Sequence, residues 1–263
     1  MSKAALFFDI DGTILSEFTG RIPDSALRAF EEARKAGHLL FINTGRTMCS
    51  LPAEIRRLPF DGFLCGCGSY LTYRDEVLFE KHLELRRAEQ IAREAQKCRI
   101  DGVFEGVEDV YFFAGVSRFS EIESMRRYME LRGLGVERYL EQGGCAFDKM
   151  YINVDALSDK ERFFGFIAED MDVIDRGKGA FECVPKGYSK GTAIEWILEK
   201  FQMSREQSYV FGDSSNDLAM FKSAGHGIAM KAHDPVLDPY AELVTKAVED
   251  DGIAWAMETL GLI

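Results

Sequence analysis

Four consecutive apolar residues, Ala5-Leu6-Phe7-Phe8, run into Asp9-Ile10-Asp11-Gly12-Thr13, and this abrupt change constrains the chain more than any other stretch. An apolar run without alternation marks a parallel strand buried on both faces. In open α/β sheets the loops leaving the carboxyl ends of such strands form the ligand crevice. Two carboxylates one residue apart in that loop repel each other unless a cation or a shared proton compensates them. Asp11-Gly12 also fits the corner of an Asx turn, so the stretch by itself leaves a structural and a chemical reading open.

The pattern then repeats. Pro23-Asp24-Ser25 opens a helix to about Lys35, with Ala26, Leu27, Phe30 and Ala33 on one face and Gly37 as its stop. A second apolar run, residues 38–42, ends in Asn43-Thr44-Gly45-Arg46. Strand, helix and strand form a right-handed βαβ unit, so both loops open on the same sheet edge. A third short strand and its exit loop follow over Asp61–Gly68, then a hairpin over 69–81 turning near Arg74-Asp75-Glu76. From about Leu85 the pattern becomes α+β without strand-end carboxylates, which reads as a second domain placed inside the first. Near Pro185 the doubly wound pattern resumes: Ser189-Lys190-Gly191 heads a helix, and strand 208–211 ends in Gly212-Asp213-Ser214-Ser215-Asn216-Asp217. Strands near 227–230 and 243–245 and a last helix over 253–260 complete an α/β sheet.

At 263 residues the chain has room for two domains, and 46% hydrophobic with 29% charged residues is ordinary globular composition. No apolar run reaches the roughly 18 residues of a membrane span, and Met1-Ser2-Lys3 leads into a short strand, so a cytoplasmic location is expected. Six cysteines without a Cys-x-x-Cys pair argue for reduced thiols over disulfides or structural zinc. A net charge of −12 with no basic stripe excludes general nucleic-acid binding. The partner is a small molecule, and an anionic one needs local cations. Oligomeric state leaves no signal in the sequence.

Asp9 and Asp11, Thr44 and Arg46, Lys190, and Asp213, Asn216 and Asp217 all fall at ends that converge in a parallel sheet. Several carboxylates among hydroxyl and amide groups make a hard-oxygen site that suits Mg²⁺ better than zinc. One lysine sits among them, and its ammonium could both neutralise a phosphoryl group and hold a nucleophilic carboxylate ionised.

Four motifs in order, Asp9-Ile10-Asp11-Gly12-Thr13, Asn43-Thr44-Gly45-Arg46, Ser189-Lys190-Gly191 and Gly212 to Asp217, with Glu249-Asp250-Asp251-Gly252-Ile253 beyond them, resemble a haloacid dehalogenase superfamily phosphatase of the Cof-like type IIB subfamily. The resemblance implies a Rossmann-like doubly wound parallel sheet core, residues 1–82 and 184–263, with an α/β cap inserted at 83–183. It implies Asp9 as the nucleophile that forms an aspartyl-phosphate and Asp11 as general acid and base. It places Mg²⁺ on the Asp9 side chain, the Asp11 backbone carbonyl and Asp213, with Asp217 supporting the metal's water shell or Lys190. Thr44, the Gly45 backbone, Lys190 and Asn216 then bind phosphoryl oxygens. Where the subfamily has Asn-Gly after its third strand this chain has Cys67-Gly68, a more apolar wall at the substrate mouth. Arg46 and, in the insert, Lys149 are further candidate cations for the substrate.

Read singly, each residue also fits a structural role: Thr44 as a helix N-cap, Lys190 as a solvated helix-start lysine, Asp217 as a cap, Arg46 in an ion pair, Lys149 as a solvated strand lysine. The expected activity is Mg²⁺-dependent hydrolysis of a small phosphorylated metabolite, a sugar phosphate or related phosphomonoester. A phosphomutase using the same intermediate and a noncatalytic phosphometabolite-binding protein are the alternatives, and steady Mg²⁺-dependent phosphate release separates them.

Overall fold

A computed structural model describes residues 3–74 and 76–263; Met1, Ser2 and Asp75, the last at the expected hairpin turn, lie outside the described residues. The chain divides into two units, one of residues 3–45, Ala53–Phe79 and Tyr188–Ile263, the other of Arg46–Pro52 and Glu80–Gly187. The elements before the insertion are β1 (Ala5–Phe8), α1 (Asp24–Lys35), β2 (Leu39–Asn43), α2 (Ala53–Arg56), β3 (Gly62–Cys65), β4 (Tyr70–Tyr73) and β5 (Glu76–Glu80). Within it come α3 (Leu85–Lys97), β6 (Asp101–Glu105), β7 (Val110–Tyr111), α4 (Ser120–Glu130), β8 (Lys149–Asn153), α5 (Lys160–Ile167), β9 (Met171–Gly177) and β10 (Ala180–Pro185). After it follow α6 (Lys190–Phe201), β11 (Ser208–Gly212), α7 (Leu218–Ser223), β12 (His226–Ala229), β13 (Leu243–Val244) and α8 (Gly252–Thr259).

The first sheet has the order β13-β12-β11-β1-β2-β3-β4-β5. Its strands from β13 to β3 are parallel, and β4 returns antiparallel to β3. Both faces are covered, which is why the strand sequences are apolar without alternation. Phe7 stacks on Phe41, centroids 5.3 Å apart, on the face packed by Ile194 and Ile197 of α6 and by Met220 and Phe221 of α7. Phe8 points the other way, meeting Phe30 of α1 edge-on at 5.1 Å. Burying each such ring contributes about 2–3 kcal/mol. Ala26, Ala29, Phe30 and Ala33 are the buried stripe of α1, the spacing expected of one helix face. The chain steps from β1 to β2 on one side, while β11 lies on the other, so the strand order reverses at the end of β1. A crevice opens there by topology alone.

The second unit holds an antiparallel sheet of order β7-β6-β8-β10-β9. Ala88, Ile91 and Ala95 of α3 and Phe163 and Ile167 of α5 pack on Phe104, Met150, Ile152, Phe181 and Cys183. A smaller cluster of Val103, Val110, Phe112, Ile122 and Met129 seats α4. The short segment 46–52 groups with this unit because Cys49 packs against that cluster and its Sγ donates to the Gly106 carbonyl at 3.3 Å. β9 and β10 form a hairpin turned through left-handed Gly177, Lys178 and Gly179. All six cysteines are free thiols and five are buried. Among the described residues no helix is long and apolar enough to cross a membrane.

Candidate active site

Asp9 is the first residue past β1, and its backbone N–H still extends the ladder to the Phe211 carbonyl at 3.0 Å. The chain then turns sharply. The N–H groups of Thr13, Ile14 and Leu15 all return to the Ile10 carbonyl, and Gly12 takes φ +75°, a left-handed conformation suited to glycine. A Cβ on Gly12 would lie 2.6 Å from Asp213 Oδ2, so glycine also lets the two loops approach. Thr13 Oγ1 donates to Asp213 Oδ1 at 2.8 Å, tying the β1 loop to the β11 loop.

Lys190, the first residue of α6, is 1% exposed and lies at the centre. Its ammonium reaches Asp9 Oδ1 at 2.7 Å, Asp217 Oδ1 at 2.6 Å and Asn216 Oδ1 at 3.5 Å. Ser189 caps the helix by accepting from the Thr192 N–H, and Asn43 Nδ2 donates to the Lys190 carbonyl at 2.8 Å. A cation at a helix start opposes the helix dipole, and here Asp9 and Asp217 compensate it. Asp217 is fully buried, and its other oxygen accepts the N–H groups of Asp213 and Ser214 at 3.0 and 3.1 Å. It therefore fixes both the lysine and the loop that presents Asp213.

Carboxylate oxygens of Asp9, Asp213 and Asp217 lie within 4.8 Å of one another. One ammonium against three carboxylates leaves negative charge in excess when all are ionised. Burial is the largest influence on Asp9 and pushes its carboxyl well above the ordinary range, with Asp217 and Asp213 adding to the rise and Lys190 opposing it. Burial, then Asp217, push Asp213 up to about 7. The Lys190 ammonium loses to burial but gains more from Asp217 and Asp9, so it is held charged. A pocket of hard oxygens with negative charge in excess fits a divalent cation, and among the described residues the cluster offers no soft ligand.

Of the four residues assigned to the metal from sequence, Asp9, Asp213 and Asp217 converge, while the Asp11 side chain stands outside the triplet. Asp11 pairs through its backbone with Leu15 inside the turn and is half-buried. Thr44 is buried, with its N–H on the Leu64 carbonyl at 2.9 Å and its own carbonyl accepting from Cys67 N–H at 3.1 Å. The turn after Arg46 has Thr47, not Thr44, in its N-cap position, which removes the capping role for Thr44. Gly66, Cys67 and Gly68 are successively left-handed, and a Cβ on Gly68 would lie 2.3 Å from the Ser189 carbonyl. The β3 loop thus packs tightly on the start of α6. Thr13, Asn43 and Ser214 carry contacts that motif reading missed. Each sits within two residues of one that it assigned, and hydrogen-bonding side chains at a strand end were the available signal.

Arg46 and Lys149 belong to the second unit. Arg46 Nη1 reaches the Ser50 carbonyl at 3.5 Å. Lys149 is 5% exposed, its ammonium 2.9 Å from both Glu105 Oε1 and Glu182 Oε1, and Arg176 also pairs with Glu182. It is therefore no solvated strand lysine. Burial raises the Glu182 carboxyl, but Lys149 and then Arg176 outweigh it and hold the group down at about 2. Glu105 has no other ion pair among the described residues. Lys149→Ala leaves that carboxylate buried and uncompensated, and a loss of about 3 kcal/mol is expected in denaturant unfolding. Unchanged stability together with a raised KM would instead make Lys149 a substrate contact.

These features have counterparts. A family model described as haloacid dehalogenase-like hydrolase matches residues 6–257, and the chain belongs to that family. YkrA of Bacillus subtilis (strain 168) is 27% identical over the full length of both chains. A phosphoglycolate phosphatase of Archaeoglobus fulgidus is 27% identical, covering 98% of this chain and 97% of its own. The HAD subclass IIB sugar phosphatase BT4131 superposes with a TM-score of 0.81 at 25% identity, over 99% of this chain and all of its own.

Proposed function

We propose that this chain is a Mg²⁺-dependent phosphatase that hydrolyses a small phosphorylated metabolite, a sugar phosphate or similar phosphomonoester, through an aspartyl-phosphate. The observation that carries the reading is Asp9: a buried carboxylate at the end of the central strand, aimed by Lys190 at 2.7 Å beside two further aspartates. The family membership and the phosphatase activities named for similar proteins support it.

Asp9 Oδ attacks phosphorus, and the bond from phosphorus to the ester oxygen breaks. Asp11 gives its proton to the departing alkoxide. Asp11, now a carboxylate, takes a proton from water as that water's oxygen attacks the phosphorus; the acyl phosphate bond breaks and Asp9 is restored. Lys190, Asn216, Thr44 and the Gly45 backbone hold the phosphoryl oxygens. Asp9, Asp213 and Asp217, with the Asp11 carbonyl, would hold Mg²⁺, which draws a phosphate dianion against a carboxylate by neutralising their shared charge. Residues 1–82 and 184–263 form the catalytic core in this reading. The inserted segment 83–183 sets the choice of substrate, with Lys149 inside it and Arg46 outside it as the cations to test.

The test is a single-turnover reaction quenched in acid, followed by mass analysis of the peptide containing Asp9. One added phosphoryl group on Asp9 is expected. Phosphate release with no such adduct at any time point overturns the covalent route, and undiminished release in EDTA overturns the metal requirement.

The raised Asp213 carboxyl gives a pH dependence. A folded-state value near 7, above the ordinary 3.8, means the metal-free fold binds a proton there that the unfolded chain does not. That contribution to stability is complete in acid and is lost as pH rises through about 7. Mg²⁺ must displace the proton, so the rise in Tm on adding Mg²⁺ is expected to be larger at pH 8 than at pH 6. A Mg²⁺-induced shift equal at both values would contradict it.

A further inference from the structure

Asn216 carries its amide in a defined sense. Its Oδ1 is 2.6 Å from Ser214 Oγ and 3.5 Å from Lys190 Nζ. A serine hydroxyl can donate to an amide oxygen or accept from an amide nitrogen, so Ser214 alone would tolerate either orientation. An ammonium has only donors, so the atom facing Lys190 must be the oxygen. Ser214 Oγ–H then donates to that same oxygen. The nitrogen, Nδ2, is left with no hydrogen bond to any described residue, on a half-buried side chain beside Lys190. Ser214 is itself anchored, because its N–H is held by Asp217 Oδ2 at 3.1 Å.

We infer that Ser214 is a positioning residue: Lys190 selects the oxygen as the inward end of the Asn216 amide, and the Ser214 hydroxyl, bonded to that oxygen at 2.6 Å, holds it there so that Nδ2–H₂ is presented outward as a donor to a phosphoryl oxygen. The inference rests on the phosphatase reading of this site. Lys190 cannot do the same work alone, since its contact is the long one and two carboxylates compete for its ammonium at 2.6–2.7 Å. Without the hydroxyl the amide rotates between orientations, and in one of them an oxygen faces the anion.

The probe is inorganic phosphate, measured by calorimetry on the purified protein and as a competitive inhibitor of aryl phosphate hydrolysis. Asn216→Ala tests the underlying reading: if phosphate affinity is unchanged, no phosphoryl group is bound by this amide, and both readings of Asn216 fall. With Asn216→Ala weakened, Ser214→Ala is expected to weaken phosphate and raise KM by about fivefold, with kcat less affected and Tm nearly unchanged. Ser214→Thr keeps the hydroxyl and should retain wild-type affinity. In the Asn216→Ala background, Ser214→Ala should add nothing further. Additive losses in the double variant, or wild-type phosphate affinity in Ser214→Ala, overturn the positioning role.

Discussion

Asp9→Asn is expected to lower phosphate release by at least about 10⁴-fold on both alkyl and aryl phosphates through loss of the nucleophile, with the protein remaining folded. The amide matches the carboxylate in size but cannot form the acyl phosphate. The fold should tolerate it because burial already works against the Asp9 charge, and Lys190 keeps Asp217 at 2.6 Å. Tm within a few degrees of wild type, read beside the lost turnover, separates a chemical defect from a collapsed site. Turnover near wild type in this variant would sink the mechanism, whatever its stability.

Lys190→Met removes the ammonium bonded to Asp9 and Asp217 and replaces it with a side chain of similar bulk. Breaking a buried ion pair from one side leaves uncompensated charge, and about 3–5 kcal/mol of stability should be lost at pH 8, with activity abolished. The sign with pH follows from Asp9. Its folded-state carboxyl is already raised, and without Lys190 opposing that rise it goes higher, so the variant's fold takes up a proton that the unfolded chain does not hold. Stability from that proton is present in acid and lost as pH rises. The deficit against wild type should therefore be smaller at pH 5 than at pH 8. A constant deficit across that range would show that the loss comes from packing and not from charge.

The core elements were legible in the sequence for a physical reason. A strand buried on both faces must be apolar at successive positions, as in residues 5–8 and 39–42, and Asp9, Thr44 and Asp213 mark where such runs stop. Lys190 was legible as a helix-start residue, although its cost at a helix N-terminus becomes intelligible only when Asp9 and Asp217 are seen within 2.7 Å. The sequence read Lys149 as either a solvated lysine or a substrate cation, because its partners Glu105 and Glu182 are 44 and 33 positions away and no local pattern relates them.

By itself the sequence determined what is local: the period of burial along each strand, the glycine that lets the chain turn after Asp11, the order of the four motifs, and the types of chemical group available. Tertiary structure alone decided which carboxylates share one ammonium, how far burial raises Asp9 and Asp213, and which way the Asn216 amide faces. Those properties depend on distances between residues up to about 200 positions apart and on exclusion of water around them, such as the Thr13–Asp213 bond across the sheet edge. Charge–charge energies vary steeply with both separation and dielectric, and neither quantity exists until the strands are placed side by side.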